Sequence, residues 1–217
     1  MSSASQELRN ASRQDAIDAV YHLYDPPLWV LTAAAGERRG GLVATFVVRA
    51  SIVPSLPRMV VGIAKHHHTW ELIESSSGFV LHLLDDAQRE LIWRFGMQSG
   101  RGADKLAGLP IETTPSGQPR LSEALAWLDC RVEARLDSGD RTVYVAAVVD
   151  GGTRADAQPL TIKGFFQGVS PEQRAALDRL LAEDSARDAA AILAWRAGAL
   201  GIGSLSPPLQ RPSGASE

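Results

Sequence analysis

The run GLVATFVVRASIVPSLPRMVVGIAKHHHTW, residues 41–70, decides how this chain is read. Its first half, Gly41 to Val53, is an extended stretch of Val, Phe, Ile and Thr, residue types that suit a pleated surface. Ala44, Thr45, Ala50 and Ser51 interrupt it with small side chains. Small residues let a flat ligand approach the backbone, whose N–H and C=O groups can then read the edge of a heterocycle. A barrel strand crowded by its neighbours has the same composition, and the pattern alone does not separate the two. Pro54-Ser55-Leu56-Pro57 makes a turn, and RMVVGIAK (58–65) is a second strand, apolar enough for burial on both faces.

Three histidines, His66 to His68, then precede a short helix read over Trp70 to Ser76 with Thr69 as its cap. A helix start presents free N–H groups and the positive end of the dipole, so it can hold a phosphate. Lys65, the imidazoles and the Thr69 hydroxyl would strengthen such a site, and an ordinary exposed loop is the competing reading. No metal is expected. Adjacent histidines point in different directions, and no neighbouring Cys, Asp or Glu completes a ligand set.

Upstream, residues 1–12 are small and polar and read as a loose tail. A helical pattern begins at Asp15, with Ile17, Val20, Tyr21 and Tyr24 on one face, and ends at Asp25-Pro26-Pro27. Leu28–Ala33 is a strand and Ala34–Gly40 a hairpin loop. Downstream, GFVLHLL (78–84) is a strand, and Asp86–Gln98 is a helix with Leu91, Ile92 and Phe95 as its apolar face. Pro115–Pro119 is a loop. LAWLDCRVEARL (125–136) alternates, with a slip near Leu128, and points Trp127, Cys130, Val132 and Ala134 inward. Ser138-Gly139-Asp140 turns into RTVYVAAVV (141–149). Six or seven strands arriving largely as hairpins predict a mainly β fold with added helices, an antiparallel Greek-key barrel and not a Rossmann sheet.

Ser170-Pro171-Glu172 starts a further helix, which runs to Arg196 and carries Leu177, Leu180, Leu181, Ile192, Leu193 and Trp195. Its packing partner is not legible. The expected organisation is thus a tail over 1–12, one domain over 13–168, a helical appendage over 169–197 and a flexible tail over 198–217.

Bulk composition excludes several classes. With 217 residues, 45% hydrophobic and 22% charged, the chain has an ordinary globular balance. A net charge of −3 with scattered basic residues argues against a nucleic-acid partner. No apolar run approaches the ~20 residues of a membrane span, and the N-terminus lacks the apolar core of a signal peptide. A cytoplasmic protein without membrane partners is expected. Cys130 is the only cysteine, so no intrachain disulfide can form, and packing is its expected role. Dinucleotide-binding, P-loop and nucleophile-elbow motifs are absent from the sequence.

Taken in order, these segments resemble the flavin reductase-like family of FMN-binding split barrels. The resemblance is carried by Gly41, Leu42, Ala44, Thr45, Ser51 and Pro54 on the first strand and by Lys65 and Thr69 in the phosphate block. It continues with Ile73, Ser77, Gly78, Phe79, His82 and Leu84. The later hairpin adds Ala126, Leu128, Cys130, Arg131, Val132, Gly139, Asp140, Thr142 and Val149, and Pro159, Leu160, Lys163, Gly164 and Phe166 close the match. Together with WRFGMQSGR (93–101) and DKLAGLP (104–110), the run looks similar to the flavin-reductase module of diflavin flavoproteins.

The resemblance implies FMN, in preference to FAD, held by Val43, Ala44, Thr45, Phe46, Ala50, Ser51, Lys65, His66, His67, Thr69 and Trp70. It further implies NAD(P)H as the hydride donor, no catalytic side chain beyond the flavin, and a homodimer with the flavin near its interface. A partner oxygenase or other electron acceptor is implied as well. Two residues depart from the pattern. Arg141 stands where many relatives carry a histidine associated with nicotinamide, and His66 and His67 replace serine-rich residues. Histidine contacts to phosphate would make FMN affinity fall as pH rises through the histidine range. The alternative function is a non-catalytic FMN electron carrier reduced by another protein.

Overall fold

The first hairpin pairs β1 (Trp29–Ala35) with β2 (Arg38–Ala44), Trp29 opposite Ala44 and Ala35 opposite Arg38. Its two-residue turn needs a positive φ at the first central position, which Gly36 supplies at 60°. The extended run of residues 41–53 then does something its composition did not announce. It breaks at Thr45–Phe46, and only Val47–Arg49 continue as a strand, β3. β3 pairs with β4 (Arg58–Ala64) at the opposite edge of the sheet from β2. Around the break, the Gly62 N–H donates to the Phe46 carbonyl at 2.9 Å. One stretch of chain therefore supplies both edges of the sheet, and the corner between them is the split in the barrel.

The computed structural model describes residues 3–97, 100–154 and 157–201. Five further elements complete the barrel and its first covering helices. They are α2 (His68–Ser76), β5 (Gly78–Leu83), α3 (Arg89–Met97), β8 (Ala126–Asp137) and β9 (Arg141–Thr153), with a two-stranded ribbon of β6 (Ile111–Thr113) and β7 (Pro119–Leu121) inserted before β8. The main sheet has seven antiparallel strands in the order β2-β1-β5-β8-β9-β4-β3. The expected mainly β architecture is what the chain adopts. β8 and β9 form its long hairpin, turned at Gly139 (φ 95°). The register shifts between Asp129 and Cys130, and again between Val132 and Ala134, where the sequence alternation slips. Cys130 is fully buried, whereas Ala134, expected to point inward, is exposed because the hairpin runs on past the barrel wall.

Alternation along β1 separates two cores. Leu31 and Ala33 join Val61, Ile63, Leu72, Phe79, Leu81 and Tyr144 on one face of the sheet. Val30 joins Leu84, Ile92, Phe95, Leu106, Leu160 and Phe165 on the other. The second core is roofed by α3 and by α4 (Ile162–Gln167), a one-turn element that the sequence did not announce. Thr161 caps α4 by accepting from Gly164 N–H.

Two terminal helices complete the chain. α1 (Ser3–Leu23) takes in residues from Ser3 on that were read as a loose tail, and α5 (Pro171–Gly201) continues the predicted appendage. The tail read over 198–217 lies outside the described residues from 202 on. No helix among the described residues is long and apolar enough to cross a membrane.

His82 on β5 sits between the cores with both ring nitrogens engaged. The Leu121 N–H donates to Nε2, so Nδ1 keeps its proton and donates to the Val30 carbonyl, each at 3.0 Å. Burial pushes the ring down to about 4, below the usual histidine value of about 6.5. The unfolded chain therefore takes up a proton that the folded chain refuses. Stability is complete above about pH 6.5 and should fall by about 3 kcal/mol as pH drops toward 4. Urea midpoints measured across this window should fall more steeply for the wild type than for His82→Gln, which keeps only the smaller slope due to the buried His67.

Candidate functional site

The corner at Thr45–Phe46 opens onto a cavity of about 770 Å³, within the range of small-molecule sites. Val43 to Phe46 form one wall, and Gly62, Ile63 and Ala64 of β4 continue it. Two glycines make this wall possible. A Cβ on Gly62 would lie 3.3 Å from Phe46 Cβ, and one on Gly41 would lie 2.7 Å from the Phe95 ring and 2.8 Å from the Leu31 carbonyl. Ile92, Phe95 and Gly96 of α3 face the same space. Phe165 and Phe166 of α4 close another side, and Leu177, Leu180 and Leu181 of α5 close the last.

The start of α2 enters this cavity, two residues earlier than the sequence suggested. His67, with φ −77° and ψ 137°, occupies the cap position, and no side chain caps the helix. Thr69 is not the cap. It lies in the first turn, 2% exposed, and faces the cavity. First-turn amides without a side-chain cap are the groups that bind an anion.

The three histidines have three different surroundings. Burial, with His66 beside it, pushes His67 down to about 4. His66 lies 3.3 Å from Asp184 and 3.6 Å from Asp188, both on α5. His68 lies 3.5 Å from Glu71, one turn along α2. His67 is therefore neutral through the usual histidine range in the flavin-free protein, so the expected loss of FMN affinity with rising pH would come from a proton taken up together with the phosphate.

Arg141 also lines the cavity, stacked over Phe46 with 4.4 Å between guanidinium and ring centroid. Its Nε donates to Asp140 at 2.5 Å and a terminal nitrogen to Asp188 at 2.8 Å. Burial, with Asp140 and Asp184 nearby, raises the Asp188 carboxyl against the pull of Arg141. The hairpin turn before Arg141 meets α5 as well, since a Cβ on Gly139 would fall 2.6 Å from Trp195 Cβ and 3.0 Å from the Ala191 carbonyl. α5, whose place was open in the sequence, is the cavity's roof.

Val43, Ala44, Thr45, Phe46, His66, His67, Thr69 and Arg141 are thus brought together in one cavity. Four other expected residues are not. Lys65 reaches away to Asp137 at 2.6 Å. Trp70 turns its ring to the core and donates to Thr142 Oγ1 at 2.9 Å. Ala50 and Ser51 belong to the loop after β3, where Ala50 N–H donates to the Arg58 carbonyl and Ser51 Oγ accepts from Val53 N–H. Cys130 is no nucleophile: burial pushes its thiol up to about 12.

Sequence reasoning missed Lys105, Asp184 and Asp188. The first lay in plain view in DKLAGLP, and nothing marked the other two among the many charges of α5. Together the residues present suit a flat heterocycle with an anionic tail. The cavity has an apolar slot lined by backbone, an open helix end and a buried ammonium, and these fit FMN.

Residues 21–168 match the flavin reductase like domain. The high molecular weight rubredoxin of Moorella thermoacetica is 31% identical over 150 residues, covering 67% of this chain and 65% of that protein. Diflavin flavoprotein A 1 of Synechocystis sp. is 33% identical over 135 residues, covering 62% of this chain and 23% of that protein. The chain thus spans less than two thirds of the length of these relatives. Among solved structures, an FMN-binding protein from Thermus thermophilus superposes with a TM-score of 0.56 at 25% identity, covering 61% of this chain and 73% of that one.

Proposed function

This chain belongs to the flavin reductase like domain family, and we propose that it binds FMN in the cavity at the Thr45–Phe46 corner and acts as an NAD(P)H:flavin oxidoreductase. The observation that carries this reading is the meeting of a backbone-lined slot, an uncapped helix start and a buried ammonium in one cavity. Bound FMN would supply the acceptor for the hydride of NAD(P)H and release the electron pair to an oxygenase or another acceptor.

The chain's own residues would bind, orient and exclude water. Backbone groups of Val43 to Phe46 would address the ring edge. Thr69 and the first-turn amides of α2 would hold the phosphate. Leu177, Leu180 and Phe166 would keep the reacting face dry, which strengthens electrostatic contacts inside. No side chain is required as acid or base.

A homodimer accords with surfaces that the single chain leaves bare. Val48, Ile52, Val53 and Leu56 are exposed around the edge strand β3, and Val20, Tyr21 and Leu23 on α1 with Tyr24 just after it. Exposed apolar residues on an unpaired strand edge invite a partner. A second copy there would sit close to Ala50 and Ser51, outside this chain's own cavity.

One observation favours the electron-carrier alternative. Both arms of Arg141 are occupied by Asp140 and Asp188, and α5 lines the cavity beside it. Anaerobic mixing of FMN-loaded protein with NADH and then NADPH separates the two. Bleaching of the visible flavin band at a rate that saturates with nucleotide is expected, from a species of twice the chain mass in sedimentation. Bleaching by dithionite alone would leave only the carrier, and protein that retains no FMN would remove both.

A further inference from the structure

α5 lies beyond the matched domain, and the face it turns to the barrel is unusual for a covering helix. Leu177, Leu181, Asp184, Asp188, Ala191 and Trp195 recur at alternating intervals of four and three residues, which sets them along one side. Such a stripe is ordinarily apolar from end to end. Here the ends are apolar and the centre is a pair of carboxylates. Leu177 packs on the second core, and Trp195 rests on the Gly139 turn. Between them Asp184 and Asp188, both partly buried, line the cavity.

The two carboxylates meet the corner formed by His66 and Arg141. Asp188 accepts from an Arg141 terminal nitrogen at 2.8 Å and lies 3.6 Å from His66 Nδ1, while Asp184 lies 3.3 Å from His66 Nε2. The fit is incomplete. His66 Nε2 is buried and makes no hydrogen bond among the described residues. Asp184 is also drawn to Arg187 of its own helix at 3.1 Å. Burial raises the Asp188 carboxyl despite the guanidinium, so its ionised form is better accommodated in water than where it sits. Well-packed apolar side chains in place of such pairs are often neutral or stabilising. Stability is therefore a poor reason for two aspartates in the middle of this stripe.

Two carboxylates one helical turn apart imitate a ligand that carries two anionic groups. We propose that α5 is a self-docked lid, whose Asp184 and Asp188 hold the His66–Arg141 corner in place of a diphosphate ligand, and that such a ligand displaces the helix. Arg141 keeps Asp140, its neighbour in sequence, whether or not the helix is docked. Only its second arm changes partner. The first turns of α5 stay anchored, because Ser170 Oγ accepts from the Gln173 N–H and Leu177 belongs to the second core. The moving part is the helix from Asp184 onward. That the diphosphate belongs to a nicotinamide dinucleotide rests on the reductase reading above, whereas the displacement does not. Helix and ligand exclude each other at Arg141, so the ligand shifts the helix by as much as it prefers the open form. Apparent affinity scales with the fraction of protein that is open, and a looser helix must bind the ligand more tightly. A fixed roof has no such linkage.

Hydrogen exchange of the full chain, measured with and without FMN, reads the helix directly. Saturating sodium pyrophosphate should speed amide exchange over residues 184–196 about tenfold, and sodium chloride at equal ionic strength should change it less than about twofold. Exchange in β5, away from the helix, should not move. The double variant Asp184→Asn, Asp188→Asn keeps side-chain shape and removes both charges. It should exchange fast over 184–196 without any ligand and bind pyrophosphate about tenfold more tightly by calorimetry. Exchange that pyrophosphate leaves unchanged or slows, or that chloride speeds equally, would overturn the lid, as would an unchanged affinity in the double variant. The wild-type measurement stands even if the variant does not fold. Protein that binds no FMN but keeps its pyrophosphate response would overturn the flavin reading alone.

Discussion

Replacing Gly41 by valine is expected to destabilise the protein by about 3 kcal/mol and to remove flavin binding. A side chain here meets two obstacles. One is the Phe95 ring, at 2.7 Å from the position of a Cβ, and it could turn aside only within a core where Phe95 is 1% exposed. The other is the Leu31 carbonyl at 2.8 Å, part of the neighbouring strand and unable to move without breaking the β1–β2 ladder. Overpacking costs about 1–3 kcal/mol when side chains can adjust, and backbone displacement puts this site at the upper end. The functional loss follows from the same geometry, because the Gly41 carbonyl holds Lys105 and the strand leads directly into the Thr45–Phe46 corner. Urea midpoints and FMN titration of Gly41→Val and of Gly102→Ala form the check. At Gly102, outside the cavity, a Cβ would meet nothing within 4 Å, so that variant should keep both properties.

Replacing Arg141 by alanine is expected to cost about 3 kcal/mol, the range for removing one partner of a buried pair. Asp140 is 6% exposed and would keep only a long contact of 3.4 Å from Ser138 Oγ. Asp188 would lose its guanidinium, and the roof formed by α5 would lose its strongest tie to β9. Asp188→Asn is milder, because Arg141 then retains Asp140. The two variants also divide the functional question. If Arg141 contacts the nicotinamide nucleotide, Asp188→Asn releases it and should lower the NAD(P)H concentration for half-maximal flavin reduction about fivefold, the equivalent of about 1 kcal/mol of ion pairing. Arg141→Ala should raise it. Concentration dependences unchanged in both variants would assign Arg141 to the α5 latch alone.

Much of the fold is local and was legible. Hairpin turns are written in Gly36 and Gly139, the double burial of β4 in its apolar run, and the bulged β8 in a break of alternation at Leu128. What escaped were elements too short to carry a period: the three-residue strands β6 and β7, and the single turn of α4. The site divides in the same way. Val43 to Phe46, Thr69 and Arg141 are close to motifs that a sequence displays. Lys65 and Trp70 belong to the same motif, but side-chain direction is set by partners elsewhere in the chain, Asp137 and Thr142. Lys105 looked like any loop lysine because burial of a charge leaves no mark in one dimension.

By itself, the run from Gly41 to Trp70 determined that two strands and a helix start lie in succession, since propensity, turn residues and apolar patterning act between near neighbours. Only the tertiary structure decided that the run breaks at Thr45–Phe46 to serve both edges of one sheet, because pairing is settled by strands far away in sequence. Only it decided, too, that Lys105 enters the cavity without a counter-charge while Asp184 and Asp188 close over His66 and Arg141. Charges separated by tens of residues act on one another through space, and the packing of α3 and α5 sets those distances.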